Sequence, residues 1–246
     1  MELFKLTVLR GNEEKVISAN PGESILAALR GEDYTEPDAP CGGQGTCRKC
    51  LITVTGQIRS VEGLGERRVE NEQILACRYA PAGDCTVVLK AKEKMHVVTA
   101  GAGGIAGGGE GLGFAVDIGT TTVASFLYDL KTGERLGAEG GRNAQRSYGA
   151  DVISRITCAS EGKLVPLRDA IRRQLTGMAE ELCAKSGRST KEVTRIRVAG
   201  NTVMEHLFDG LDPTNIGVAP FTPESLFGDH RPSAACLPEL DAEADV

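Results

Sequence analysis

The chain has no surplus of positive charge: 28 basic side chains face 34 acidic ones, for a formal net charge of -6. A grip on nucleic acid built on phosphate neutralisation is therefore not expected. Nor is a basic module hidden in one half, since residues 1–96 hold 13 basic and 14 acidic groups and the remainder 15 and 20. No apolar run approaches the roughly 18 residues of a membrane span. The start, Met1-Glu2-Leu3-Phe4-Lys5, lacks a charged segment followed by an apolar stretch, so a cytoplasmic location is expected. In that reducing compartment eight cysteines read as ligands or buried thiols rather than disulfides. What remains, 41% hydrophobic and 25% charged residues over 246 positions, suits one or two soluble folded units.

Glycine divides the chain. GAGGIAGGGEGL, residues 101–112, offers few side chains to anchor, and residues 97–112 are expected to form a flexible tether, the alternative being a glycine loop packed against one neighbour. As a coil, residues 98–112 would span roughly 20 Å. The expected units are then 1–96 and 113–246. In the first, strands are expected at Leu3–Val8 and Lys15–Ser18 about a Gly11-Asn12 turn, a short helix at Ile25–Leu29 with Glu23 near its positive end, and strands at Leu51–Val54 and Cys85–Leu89. The result is a small α+β body. The second unit reads strand, strand, strand, helix, strand, helix. Its first helix carries Leu167, Ile171, Leu175, Met178 and Leu182 on one face, and its second covers Thr202–Leu211.

Cys41, Cys47, Cys50 and Cys77 follow C-x5-C-x2-C-x26-C. Four thiolates, three from one loop and one distant, can enclose a [2Fe–2S] cluster, and Gly42, Gly43 and Gly45 let the loop curl so that N–H groups point at sulfur. A structural zinc site usually pairs two C-x2-C knuckles, whereas this chain has one. Cys85, Cys158, Cys183 and Cys236 lack such spacing and read as buried thiols. With Ile74-Leu75-Ala76-Cys77-Arg78 around the fourth cysteine, most of residues 1–96 resembles plant- or adrenodoxin-type [2Fe–2S] ferredoxins. That resemblance implies a β-grasp fold, one-electron transfer and a cluster near the surface.

In Asp117-Ile118-Gly119-Thr120-Thr121-Thr122 a carboxylate ends a strand, a glycine permits close backbone approach, and hydroxyls and N–H groups follow in series. Phosphates suit such a turn, and Asp117 could organise hydrated Mg²⁺; an ordinary hairpin turn is the alternative. Asn143, Gln145 and Asn201 follow strand ends, where an α/β sheet presents ligand contacts or, equally, caps. His96 and His206 read as satisfied histidines without proton chemistry. FAVDIGTTTVASFLYDLKTGE resembles the first phosphate hairpin of the actin-like ATPases. With Tyr148–Ile156 and Gly200-Asn201-Thr202, the whole is similar to the reductive activators of corrinoid-dependent methyltransferases. The resemblance implies ATP-driven electron transfer onto a Co(II) corrinoid partner. No second Asp-x-Gly-Thr turn follows, and Leu237–Val246 is an acidic tail without strand pattern, so a truncated or split member is expected. It should carry one actin-like lobe, turn over no ATP alone, and self-associate through an uncovered face. The alternative is a plain [2Fe–2S] carrier whose second unit is a docking lobe.

Overall fold

The computed structural model describes residues 3–32, 34, 37–90, 103–228, 232–238 and 240. The expectations about His96, the first part of the glycine tether and most of the acidic tail fall outside them. The chain divides into two compact units, Met1–Glu93 with Arg146–Ala150, and Lys94–Gln145 with Asp151–Val246.

In the first unit, β1 (Phe4–Arg10) and β2 (Glu13–Ala19) form the expected hairpin, and β3 (Leu51–Ser60), β4 (Glu66–Leu75) and β5 (Tyr79–Leu89) complete a sheet ordered β2-β1-β5-β3-β4. β1 and β5 are parallel, with Leu6 opposite Cys85 and Val8 opposite Val87, and the other pairs are antiparallel. Helix α1 (Ile25–Gly31) turns Ile25, Leu26, Ala28 and Leu29 into a core with Leu6, Val54, Ile58 and Val87. This is the β-grasp arrangement. Ser24 caps α1, its hydroxyl accepting from the Ala27 N–H at 3.2 Å, whereas Glu23 turns back to accept from the backbone and side chain of Asn20. The helix dipole is thus met by a hydroxyl rather than by the expected carboxylate.

In the second unit, β6 (Leu112–Ile118), β7 (Thr122–Asp129), β8 (Arg135–Arg142) and β9 (Val193–Gly200) are ordered β8-β7-β6-β9, with β6 and β9 parallel. Two helices separate β8 from β9 where one was expected: α2 (Val152–Cys158) and α3 (Leu164–Lys185), divided by a bend at Glu161 and Gly162. Leu167, Ile171, Leu175, Met178 and Leu182 are all buried as their spacing requires, and α4 (Thr202–Asp209) follows β9 directly.

The tether differs from expectation within its described part. Backbone N–H groups of Ile105, Gly108 and Gly109 donate to carbonyls at Gly133 and Leu130, the Leu130 N–H donates to Gly111, and the Thr194 hydroxyl donates to the Glu110 carbonyl. Residues 105–111 are therefore docked on the β7–β8 turn and the start of β9. Glycine promotes this contact, because the missing side chains let two backbones meet.

Candidate functional site

Two sites emerge, one in each unit. The first is the loop between α1 and β3. Gly42, Gly43 and Gly45 have φ of 69°, 102° and 79°, a region that admits glycine at low cost, so the loop coils back on itself. Cys41 and Cys47 are partly exposed, whereas Cys50 and Cys77 are buried. The Cys50 Sγ lies 3.3 Å from the Cys77 Sγ, and the Ala76 N–H donates to the Cys50 carbonyl at 2.8 Å, fixing the distant fourth cysteine to the loop.

Burial pushes the Cys41 thiol up, but the backbone and side chain of Cys47, the Gly43 N–H and the Thr46 hydroxyl donate to it and outweigh burial, bringing its pKa down to about 6. Cys77 is pushed up to about 12 by burial and by the sulfurs of Cys50 and Cys41. Such crowding of thiols, relieved when each binds a cation as thiolate, is the donor chemistry of an iron–sulfur site. The pairs Cys41 with Cys47 and Cys50 with Cys77 suit two irons, each held by two thiolates. Among the described residues, no three His, Cys, Asp or Glu side chains gather as they would about a single ion. Cys85 stands apart: its thiol donates to the carbonyls of Gln57 (3.2 Å) and Gly83 (3.3 Å), and burial raises its pKa.

The second site is the turn between β6 and β7. A Cβ on Gly119 would lie 2.6 Å from the Thr122 carbonyl oxygen, so only glycine allows the turn to close this tightly. Asp117 and Thr121 are exposed, with Thr120 and Thr122 half-buried. Asn201 caps α4, accepting from the Met204 N–H, and its amide donates to the Thr120 hydroxyl at 3.2 Å. Asn143 and Gln145 are placed differently from the phosphate contacts expected of them. Asn143 is buried and its Nδ2 donates to the Gly119 carbonyl at 2.8 Å, while its Oδ1 accepts from the Gln145 N–H. Gln145 is also buried, its Nε2 donating to Leu167 O. The Asn143 amide braces the turn from inside, and Gln145 links Asn143 to α3.

Sequence reasoning passed over Arg155. It is fully buried, and its guanidinium donates to the Thr120 carbonyl at 2.5 Å and to Gln145 Oε1 at 3.3 Å, with the Met204 sulfur 2.9 Å away. Nothing in the helical run Val152–Cys158 distinguishes it from a surface arginine. His206 is satisfied as expected, with Nδ1 2.7 Å from Thr202 O and Nε2 accepting from the Glu224 N–H.

Comparison with known proteins fits both halves. The family model described as "2Fe-2S iron-sulfur cluster binding domain" matches residues 9–82, which include all four proposed ligands and exclude Cys85. The model described as "RACo middle region" matches residues 112–240, from β6 onward. The "Corrinoid activation enzyme RamQ" of Eubacterium limosum is 40% identical over 111 residues, 44% of this chain and 19% of that protein. The solved "Reductive activator for corrinoid,iron-sulfur protein" aligns with 99% of this chain and 54% of its own, at 23% identity and a TM-score of 0.54, a likeness of fold. The chain thus spans about a fifth of the curated relative and about half of the solved one. Residues 9–82 are accordingly a [2Fe–2S] domain. No helix among the described residues is long and apolar enough to cross a membrane.

Proposed function

The chain belongs to the RACo middle-region family over residues 112–240, and from this premise we propose that it delivers single electrons to a Co(II) corrinoid protein during ATP-dependent reductive activation. The observation that carries the reading is the joining, in one chain, of a four-cysteine [2Fe–2S] domain to this region. Cys41, Cys47, Cys50 and Cys77 are assigned as the ligands. The bound cluster supplies one-electron storage, cycling between two charge states. The residues around it exclude water from the Cys50 and Cys77 side and leave the Cys41 and Cys47 side open to a partner.

Residues 1–96 form the electron-carrying unit in this reading, 97–112 the connection, and 113–246 the first lobe of an actin-like nucleotide-binding fold. Asp117, Thr120, Thr121, Thr122 and Asn201 are assigned to phosphates and Mg²⁺ of ATP; the exposure of Asp117, Thr121 and Asn201, and the bond from the Asn201 amide to the Thr120 hydroxyl that ties α4 to the turn, support this. Gly119 allows the approach, while Asn143 holds the turn's backbone in place and Gln145 supports Asn143. An ATP-driven step needs contacts from a second lobe, so residues 113–246 should also have an apolar face suited to association.

The test is anaerobic purification, measurement of iron, and EPR before and after reduction, followed by mixing with a Co(II) corrinoid protein and ATP. A reduction-dependent [2Fe–2S] signal that decays as the Co(I) absorption rises supports the proposal. A colourless protein, or a reduced cluster that leaves the corrinoid untouched with and without ATP, overturns it. Steady ATP turnover by the 246-residue chain alone would overturn the need for a second lobe.

A further inference from the structure

The two segments that carry the cysteine ligands have no carboxylate. Residues 41–61 contain Arg48, Lys49 and Arg59, and residues 73–83 contain Arg78, without one Asp or Glu, in a chain that averages an acidic residue about every seven positions. Arg59 is paired with Glu66 at 2.7 Å, and Arg78 with Glu62. Arg48 and Lys49 are exposed and, among the described residues, have no ion-pair partner. They sit between Cys47, which is partly exposed, and Cys50, so two exposed positive charges adjoin the less buried side of the cluster loop.

Arg48 carries a second clue. Its φ is 55°, the left-handed region that glycine, or asparagine, occupies at lower cost. The neighbouring loop positions with positive φ, Gly42, Gly43 and Gly45, are all glycine. A long cationic side chain held in that backbone, one residue from a ligand and facing water, is unexplained by packing.

We infer that Arg48 and Lys49 form the docking surface for the carboxylate-rich face of a small, diffusing one-electron carrier that reduces the cluster. The inference rests on the cluster reading and goes beyond it by naming the chemistry of the reductant. In the transfer, the reduced carrier loses one electron, the oxidised cluster gains it, and no bond or proton changes place. Two exposed charges suit a brief encounter, since redox partners bury small areas and rim charges act mainly on the association rate. A carrier that must leave after each electron needs such an interface.

The experiment follows cluster reduction in the purified full chain by stopped-flow absorbance, with reduced flavodoxin, an acidic carrier, as the probe. Its rate should fall at least about tenfold between 10 mM and 1 M salt, as the Debye length shrinks from about 30 Å to about 3 Å. Arg48→Glu with Lys49→Glu should slow reduction about tenfold at 10 mM and leave it unchanged at 1 M. Arg48→Asn with Lys49→Gln, which keeps a residue tolerant of left-handed backbone, should give a smaller loss. Reduction by the methyl viologen radical cation should hold steady or quicken in both variants, a result that damage to the loop would not produce. A flat salt dependence in a protein with an intact cluster spectrum would overturn this inference alone, as would equal slowing with both reductants. Charge effects seen only with a corrinoid protein would overturn it too, by moving the face to the acceptor. A protein without iron would remove the cluster reading and this inference together.

Discussion

Replacing Arg155 by methionine should destabilise the second unit more than any change at its surface. The substitution keeps much of the side-chain length but withdraws two donors: the one to the Thr120 carbonyl at 2.5 Å and the one to Gln145 Oε1 at 3.3 Å. The buried Gln145 acceptor, left unsatisfied, costs about 1–3 kcal/mol, and the half-buried Thr120 carbonyl, which water can reach, about 1 kcal/mol, so the pair costs about 2–4 kcal/mol. Against a whole-domain stability of about 5–15 kcal/mol, that is a large fraction. With a urea dependence of about 2 kcal/mol per molar, the midpoint should drop by about 1–2 M. The assay is urea unfolding of the full chain, with far-UV circular dichroism for the whole molecule and cluster absorbance for the first unit. The absorbance midpoint should stay where it is while the part of the dichroism transition that belongs to the second unit moves. Arg155→Lys should fall between, since one ammonium cannot span both acceptors as a planar guanidinium does. A midpoint shift below about 0.3 M for methionine would refute the view that Arg155 braces the Thr120 turn.

Cysteine replacements separate ligands from packing. Cys77→Ser should abolish the visible spectrum and reduce iron from about two per chain to near zero, whereas Cys85→Ser should retain both, because the Cys85 thiol is occupied with backbone carbonyls. Asp151 caps α2, accepting from the Ser154 N–H at 2.8 Å while its own N–H donates to the Ser154 hydroxyl. Asp151→Ala should cost about 1 kcal/mol at pH 7. The Ser154 N–H above all holds the Asp151 carboxyl below its ordinary value, so its charged form stabilises the fold above the unfolded value near 3.8. That contribution is lost as pH falls through the folded value, and chemical denaturation at pH 7 and pH 2 should show the penalty shrinking. An equal penalty at both would contradict the charge's part in the cap.

Much of this was legible because the signals were carried by side chains with a strict geometry. The C-x5-C-x2-C spacing and the glycines between its cysteines define a coiled ligand loop before any fold is known, and the α3 stripe from Leu167 to Leu182 defines a buried helix face. β4 was not legible. In Glu66–Leu75 only Val69 and Ile74 are buried, so charged residues conceal a strand that exists chiefly through its ladder with β3. The docking of residues 105–111 was hidden for a related reason: it is made by backbone N–H and carbonyl groups, which every residue possesses and no hydrophobic pattern reports. Arg155 shows the converse. A charge in a helix reads as solvent-facing until the acceptors around it, supplied by a turn 35 residues earlier and by Gln145, are known.

The charge that conceals β4 has a use of its own. It and β2 are the outermost strands of the first sheet, and among the described residues no strand pairs with the outer edge of either. Arg67 and Glu72 lie in a mutual ion pair along one margin, and Glu13, Glu14 and Lys15 crowd the other. Any chain adding as a further strand would have to desolvate these groups, an obstacle that natural sheets place at their margins against runaway stacking. Crowded to the concentrations that spectroscopy of a metal centre demands, the first unit should therefore stay in solution rather than polymerise through its margins, and a fibre-sensitive dye should remain dark.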